Sequence, residues 1–118
     1  MDIEAYRNYC LRKQGVTEEF PFDEKTLVYK VRGKMFALTN IDAFESINLK
    51  CDPETALQLR EAYEGVTPGY HMNKKHWNTV RTDGGIPDKL IYQWIDDSYK
   101  LVGDKLPRAE REGVDQED

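Results

Sequence analysis

Cysteine is scarce: Cys10 and Cys51 are the only two in 118 residues, and they are not in CxxC spacing. That excludes a disulfide scaffold and a zinc ribbon, which need several cysteines at fixed intervals, and leaves both as packing residues. Long apolar runs are missing too. No stretch approaches the roughly 18 to 20 uncharged residues of a membrane span, and the opening MDIEAYRNYC is acidic and amphipathic, unlike a signal peptide. A cytoplasmic protein without a membrane partner is the expectation. Positive charge is in short supply, with 17 Lys and Arg against 22 Asp and Glu and a net charge of -5, which counts against a simple nucleic-acid coat. Neither GxGxxG nor GxxxxGK[ST] occurs, so a dinucleotide or P-loop site lacks its usual mark.

What is present suits one folded domain. Hydrophobic residues make up 39% and charged residues 33%, too apolar for a disordered chain, and the length matches a single core. Charge is unevenly placed. Residues 108 to 118 hold two arginines against five acids and are expected to form a disordered acidic tail to a domain spanning 1 to 107. Between Lys25 and Arg81, nine basic residues face six acidic ones. A basic surface is therefore permitted though not required.

Ile3, Tyr6 and Cys10 recur at helical spacing over residues 3 to 13, with Asp2 to cap the start and Gly15 to end it. TLVYKVRGKMFALT, residues 26 to 39, predicts a hairpin turning at Arg32-Gly33-Lys34, and SINLKC alternates as a third strand. Asp52-Pro53-Glu54 opens a second helix that stops by Gly65. Two short strands fit residues 66 to 83, and a long helix follows Pro87 with Leu90, Ile91, Trp94, Ile95, Ser98 and Val102 on one face. The order α-β-β-β-α-β-β-α predicts an α+β two-layer sandwich: a five-stranded antiparallel sheet with its helices on one face.

Such a sheet leaves its other face uncovered. Period-two counting assigns Lys30, Asn48, Lys50, His76 and Asn78 to that face, flanked by Arg32 and Lys34 at one turn and Lys74 and Lys75 at another. Trp77 is expected in the core, and Val28, on the Lys30 side, breaks the polar pattern. The segment HMNKKHWNTVR holds two histidines, two lysines, an arginine and no acid. His71 and His76 lie five apart rather than at the four-residue interval of a helical metal pair, and no nucleophile adjoins a base. No catalytic residue, metal or cofactor is assigned, and a non-enzymatic role is expected. The segment reads better as an anion surface, with Lys74, Lys75 and Arg81 for phosphates and Asn73, His76 and Asn78 as hydrogen-bond donors. The plain alternative is a solvated basic turn.

VYKVRGKMFAL (28 to 38), NLKCDPE (48 to 54), PGYHMNKKHWNTV (68 to 80) and SYKLV (98 to 102) resemble the MmcQ/YjbR family of small bacterial proteins. The resemblance implies a fold like that of frataxin/CyaY and the secretion chaperones. It also implies DNA binding by a "double wing" of two projecting hairpins. One wing would be 27 to 39, tipped by Arg32, Gly33 and Lys34; the other would be 69 to 83, bearing Lys74, Lys75, His76 and Arg81. The candidate nucleic-acid contacts are thus Lys30, Arg32, Lys34, Lys50, Lys74, Lys75, His76, Asn78 and Arg81, on a protein expected to be monomeric. The alternative is an adaptor that docks a protein partner on the exposed sheet face. Frataxin-like metal handling is disfavoured, because the first helix mixes Asp2, Glu4, Arg7, Arg12 and Lys13 and has no acidic ridge.

Overall fold

Two aspartates start two of the helices as their positions predict. Asp2 Oδ1 accepts the Ala5 N–H at 2.8 Å ahead of α1 (Ile3–Leu11), and Asp52 Oδ2 accepts that of Thr55 at 3.2 Å ahead of α2 (Pro53–Ala62). The third helix, α3 (Asp88–Gly103), is the longest, and buries Ile91, Ile95, Ser98, Tyr99 and Val102 along one side. The computed structural model describes residues 1–104, so the expected acidic tail and the domain end at residue 107 lie outside the described residues.

The strands are β1 (Val16–Glu19), β2 (Thr26–Val31), β3 (Lys34–Asn40), β4 (Ser46–Lys50), β5 (Val66–Pro68) and β6 (Trp77–Arg81). They form one antiparallel sheet in the order β1-β2-β3-β4-β6-β5. Six strands replace the expected five. The addition is β1, whose sequence VTEE carries no apolar alternation and is held at the edge by its acids. Glu18 accepts Arg7 Nε at 2.8 Å and the Tyr29 hydroxyl at 2.8 Å, and Glu19 lies 3.3 Å from Lys30 Nζ.

The turn between β2 and β3 has Arg32 at φ 49° and Gly33 at φ 87°, the paired left-handed geometry of a two-residue hairpin. Glycine adopts it freely; arginine is held there by the closing strands. One residue further along, Tyr29 pairs with Ala37 and Lys30 with Met35, so Phe36 is extra in β3 and forms a bulge. That is how both Phe36 and Ala37 join the main core, with Tyr6, Cys10, Leu27, Tyr29, Val31, Ile47, Leu49, Val80 and the inner sides of the helices. All three helices pack on this face, as expected. On the other face a second buried cluster forms from Val28, Leu38 and Trp77, with Met35 and Met72 against it.

Candidate nucleic-acid interface

Pairing register fixes which side chains share the helix-free face. Lys30 pairs with Met35, Asn48 with Leu38 and Thr79, and Lys50 with Trp77, so all of these stand on it. The centre of the face is apolar rather than the mildly basic surface expected, because Val28, Leu38 and Trp77 occupy it. Val28 is therefore no anomaly.

In β6 the expected phase is inverted. Asn78 pairs with Leu49 and Val80 with Ile47, which turns both toward the helices. Asn78 is buried there: its Oδ1 accepts Arg60 Nε at 2.7 Å, and its Nδ2 donates to the Ala56 carbonyl at 3.3 Å. It is a structural residue, removed from any surface contact. Trp77, expected in the core, is buried on the opposite side, in the cluster with Val28 and Leu38 against which Met35 and Met72 pack.

Two loops frame the helix-free face. The 20–25 connection places Phe22 between two grooves. One, of about 370 Å3, is lined by Phe22, Lys30, Lys34, Met35, Lys50 and Trp77 among others. The second, of about 450 Å3, continues along Leu38, Asn48 and Thr79 to Tyr70, His71 and Met72. Phe22 is 63% exposed and Tyr70 68%, high values for large apolar rings. The 69–76 connection forms the far wall. Tyr70 N–H donates to Thr79 Oγ1 at 3.0 Å, Thr79 Oγ1 donates to Asn48 Oδ1 at 2.6 Å, and the Tyr70 and His71 rings lie 4.0 Å apart. His71 sits at φ 58°, an uncommon conformation for histidine. Gly69 makes the bend possible, since a Cβ on it would fall 2.7 Å from Trp77 Cβ and 2.9 Å from the Trp77 carbonyl.

The candidate cations divide by position. Lys30, Lys34 and Lys50 border the first groove together. Arg32 turns away, its side chain lying over Gly15 beside β1. Lys74 Nζ donates to the Gly69 carbonyl at 3.1 Å, and the Lys74 carbonyl itself accepts from Arg60. Lys75 is exposed at the loop tip, while half-buried His76 gives its carbonyl to the Cys51 N–H at 2.8 Å. Arg81 is held by Asp83 at 2.6 Å, and that hydrogen bond keeps the Asp83 carboxyl below its ordinary range. Glu19 is likewise held low, first by Thr17 and then by Lys30.

The two connections expected as wings open at the same end of the sheet. Lys34 begins β3 there, Lys50 ends β4, and Trp77 begins β6. Sequence reasoning overlooked Phe22, Tyr70 and the Met35–Met72 floor. The FPF run at 20–22, set among acids, was the available signal for an aromatic held outside the core. Among the described residues no three His, Cys, Asp or Glu side chains gather as metal ligands, and no helix is long and apolar enough to cross a membrane.

Comparison with known proteins agrees with this architecture. The chain is 36% identical to uncharacterized protein YjbR of Escherichia coli K12 over 112 residues, covering 94% of this chain and 95% of that one. It is 35% identical to uncharacterized protein YyaQ of Bacillus subtilis, covering 84% and 80%. The crystal structure of Deinococcus radiodurans protein DR2400, described as a DUF419 domain, superposes with a TM-score of 0.89 at 40% identity, covering 96% of this chain and 87% of that one. A Pseudomonas syringae protein superposes at 0.74 with 30% identity, covering 86% and 99%. With the YjbR family model also matching residues 11–101, the chain belongs to the YjbR family.

Proposed function

We propose that this protein is a non-enzymatic nucleic-acid-binding protein that holds a single strand across the helix-free face of its sheet. The observation that carries this reading is the first groove, where Lys30, Lys34 and Lys50 meet Phe22 and Trp77. Lysines neutralise phosphates without regard to sequence, and the exposed Phe22 ring offers a stacking surface worth roughly 1–3 kcal/mol per base. A single strand suits the charge distribution better than a duplex. Arg81 is paired with Asp83 and Arg32 faces away, so the wings carry few cations toward a rigid double helix. The shared end of the two wing connections supports a contact surface on that side.

The test is fluorescence anisotropy with a labelled oligothymidylate and a duplex of equal length at several salt concentrations. With three lysines on phosphates and about 0.7 counterion released per contact, log K is expected to fall against log salt with a slope of about -2. No binding of the single strand at low salt, or a preference for the duplex, overturns the reading.

The adaptor alternative draws on one separate observation, the Val28, Leu38, Met35 and Met72 floor, since methionine-lined grooves adapt to apolar peptide side chains. A stoichiometric protein partner bound with little salt dependence, and released by Met72→Asp, would favour it.

A further inference from the structure

On the opposite side of the sheet, α2 and α3 part over the ends of β4 and β6 and leave a cavity of about 190 Å3. Its walls are Leu49, Leu59, Val80, Trp94 and Leu101. Packing fixes the largest wall, because the Trp94 ring meets Tyr63 edge to face at 5.1 Å. Asn78, held from behind by Arg60 and the Ala56 carbonyl, also lines the cavity. An apolar cavity of roughly 150 Å3 admits a benzene-sized molecule, so the volume suits one aromatic or branched aliphatic group.

The remaining lining residues are polar and unevenly charged. Cys51, Asp52, Thr55 and Asp97 border the space, with both aspartates exposed. Asp52 caps α2 through Thr55, and Asp97 accepts Gln93 Nε2 at 3.0 Å, which leaves each carboxylate further acceptor capacity. Lys50 also borders the space, at the end of β4, but its pairing with Trp77 turns its side chain toward the helix-free face. Arg60 is committed to Asn78 Oδ1 and to the Lys74 and Trp77 carbonyls. The half-buried Cys51 thiol senses the balance. It is pushed up to about 11, first by burial and then by Asp52 and Asp97, and Arg60 opposes them more weakly.

We propose that this cavity binds a small molecule with an aromatic-sized apolar body and an ammonium group, the body between Leu49, Leu59, Val80 and Trp94 and the cation at Asp52 and Asp97. Apolar walls with a few convergent polar groups are the usual make-up of small-ligand sites. Apart from Lys50, which borders both, the site shares no lining residue with the first groove of the helix-free face, so its fate does not depend on nucleic-acid binding.

The experiment is a two-dimensional NMR titration of the full chain with benzylammonium, benzyl alcohol and benzoate. Benzylammonium is expected to shift the Trp94 indole and the Leu49, Leu59 and Val80 amides saturably, with the Trp77 indole unmoved. It should bind about fivefold or more tighter than benzoate. Leu59→Trp, which fills the space, should abolish the response. Asp97→Asn, an exposed change that leaves the packing intact, should weaken benzylammonium about threefold and leave benzyl alcohol unchanged, the size expected of a partly exposed charge pair. Absence of shifts, equal binding of benzoate, or an Asp97→Asn variant that binds benzylammonium like the parent overturns the proposal.

Discussion

The Ser98 hydroxyl donates to the Phe36 carbonyl oxygen across 2.6 Å, in the buried layer between α3 and the sheet. The Ser98 hydroxyl oxygen in turn accepts the Lys50 N–H at 3.0 Å. The β3–β4 ladder pairs Leu38 with Asn48 and Ala37 with Leu49; its next step would join Phe36 to Lys50. The Phe36 bulge interrupts that step, and a helix side chain stands in for the missing strand partner. A feature of α3 thereby fixes the strand end that carries Lys50 into the groove.

Ser98→Ala should leave a buried carbonyl and a buried N–H without partners. Each such group costs roughly 1–3 kcal/mol, so a loss of about 3 kcal/mol in urea denaturation is expected, together with faster hydrogen exchange at the Lys50 amide. An unchanged midpoint would show that Ser98 bridges nothing of consequence.

Tyr6 offers the opposite sign. Its ring is fully buried, edge-on to Tyr29 with centroids 5.5 Å apart, and its hydroxyl has no hydrogen-bond partner among the described residues. Burial pushes the phenol well above its ordinary range, so it stays neutral. Tyr6→Phe removes the unpaired oxygen and keeps the ring contacts, and should stabilise the protein by about 1 kcal/mol, read as a raised melting temperature. A destabilised variant would reveal a partner for the hydroxyl.

These two residues also mark how far the sequence carries. Tyr6 belongs to a stripe with Ile3 and Cys10 that declares its burial, and Asp2, Asp52 and Gly33 announce their caps and turn by local chemistry alone. The edge strand β1 does not announce itself, since Val16, Thr17, Glu18 and Glu19 become a strand through pairing with β2 and the grip of Arg7, Tyr29 and Lys30. In β6 the failure was one of phase. Assigning Asn78 to the open side also sends Val80 there, whereas Val80 belongs with Ile47 in the core. Trp77 was the misleading residue, because a large ring reads as core even where a second cluster buries it on the other face. In the sequence Arg81 and Lys30 read as surface cations, but their partners Asp83 and Glu19 come from a turn and a strand whose proximity only folding creates.

Glu18 supplies a pH dependence. Its carboxyl is held below the ordinary value of 4.5, chiefly by the Arg7 hydrogen bond and then by the Tyr29 hydroxyl, while burial opposes both. A depressed folded-state pKa contributes stability that is present above pH 4.5 and lost as the pH falls through the lower folded value. Parent and Glu18→Gln should therefore differ in stability at neutral pH and converge as the solution is acidified below that point. Thermal melts across the acid range test this, and a constant difference between the two proteins would rule Glu18 out as the titrating group.

Lys50 and Lys75 separate binding in the groove from binding at a wing tip. Lys50 lines the groove beside Trp77, whereas Lys75 lies at the tip of the 69–76 connection and lines neither groove on this face. If a strand runs through the groove, Lys50→Glu removes one phosphate contact and adds a repulsive charge to the groove that Phe22 borders. Oligothymidylate affinity should then fall about tenfold or more, and the salt slope should flatten by roughly 0.7. Lys75→Glu should cost less than about threefold, since a distant exposed charge acts only through the screened field. Both variants change groups at the surface or groove rim, and circular dichroism would verify that each keeps its fold. The reverse ranking, with Lys75 dominant and Lys50 silent, would move the contact to the wing tips and away from the sheet.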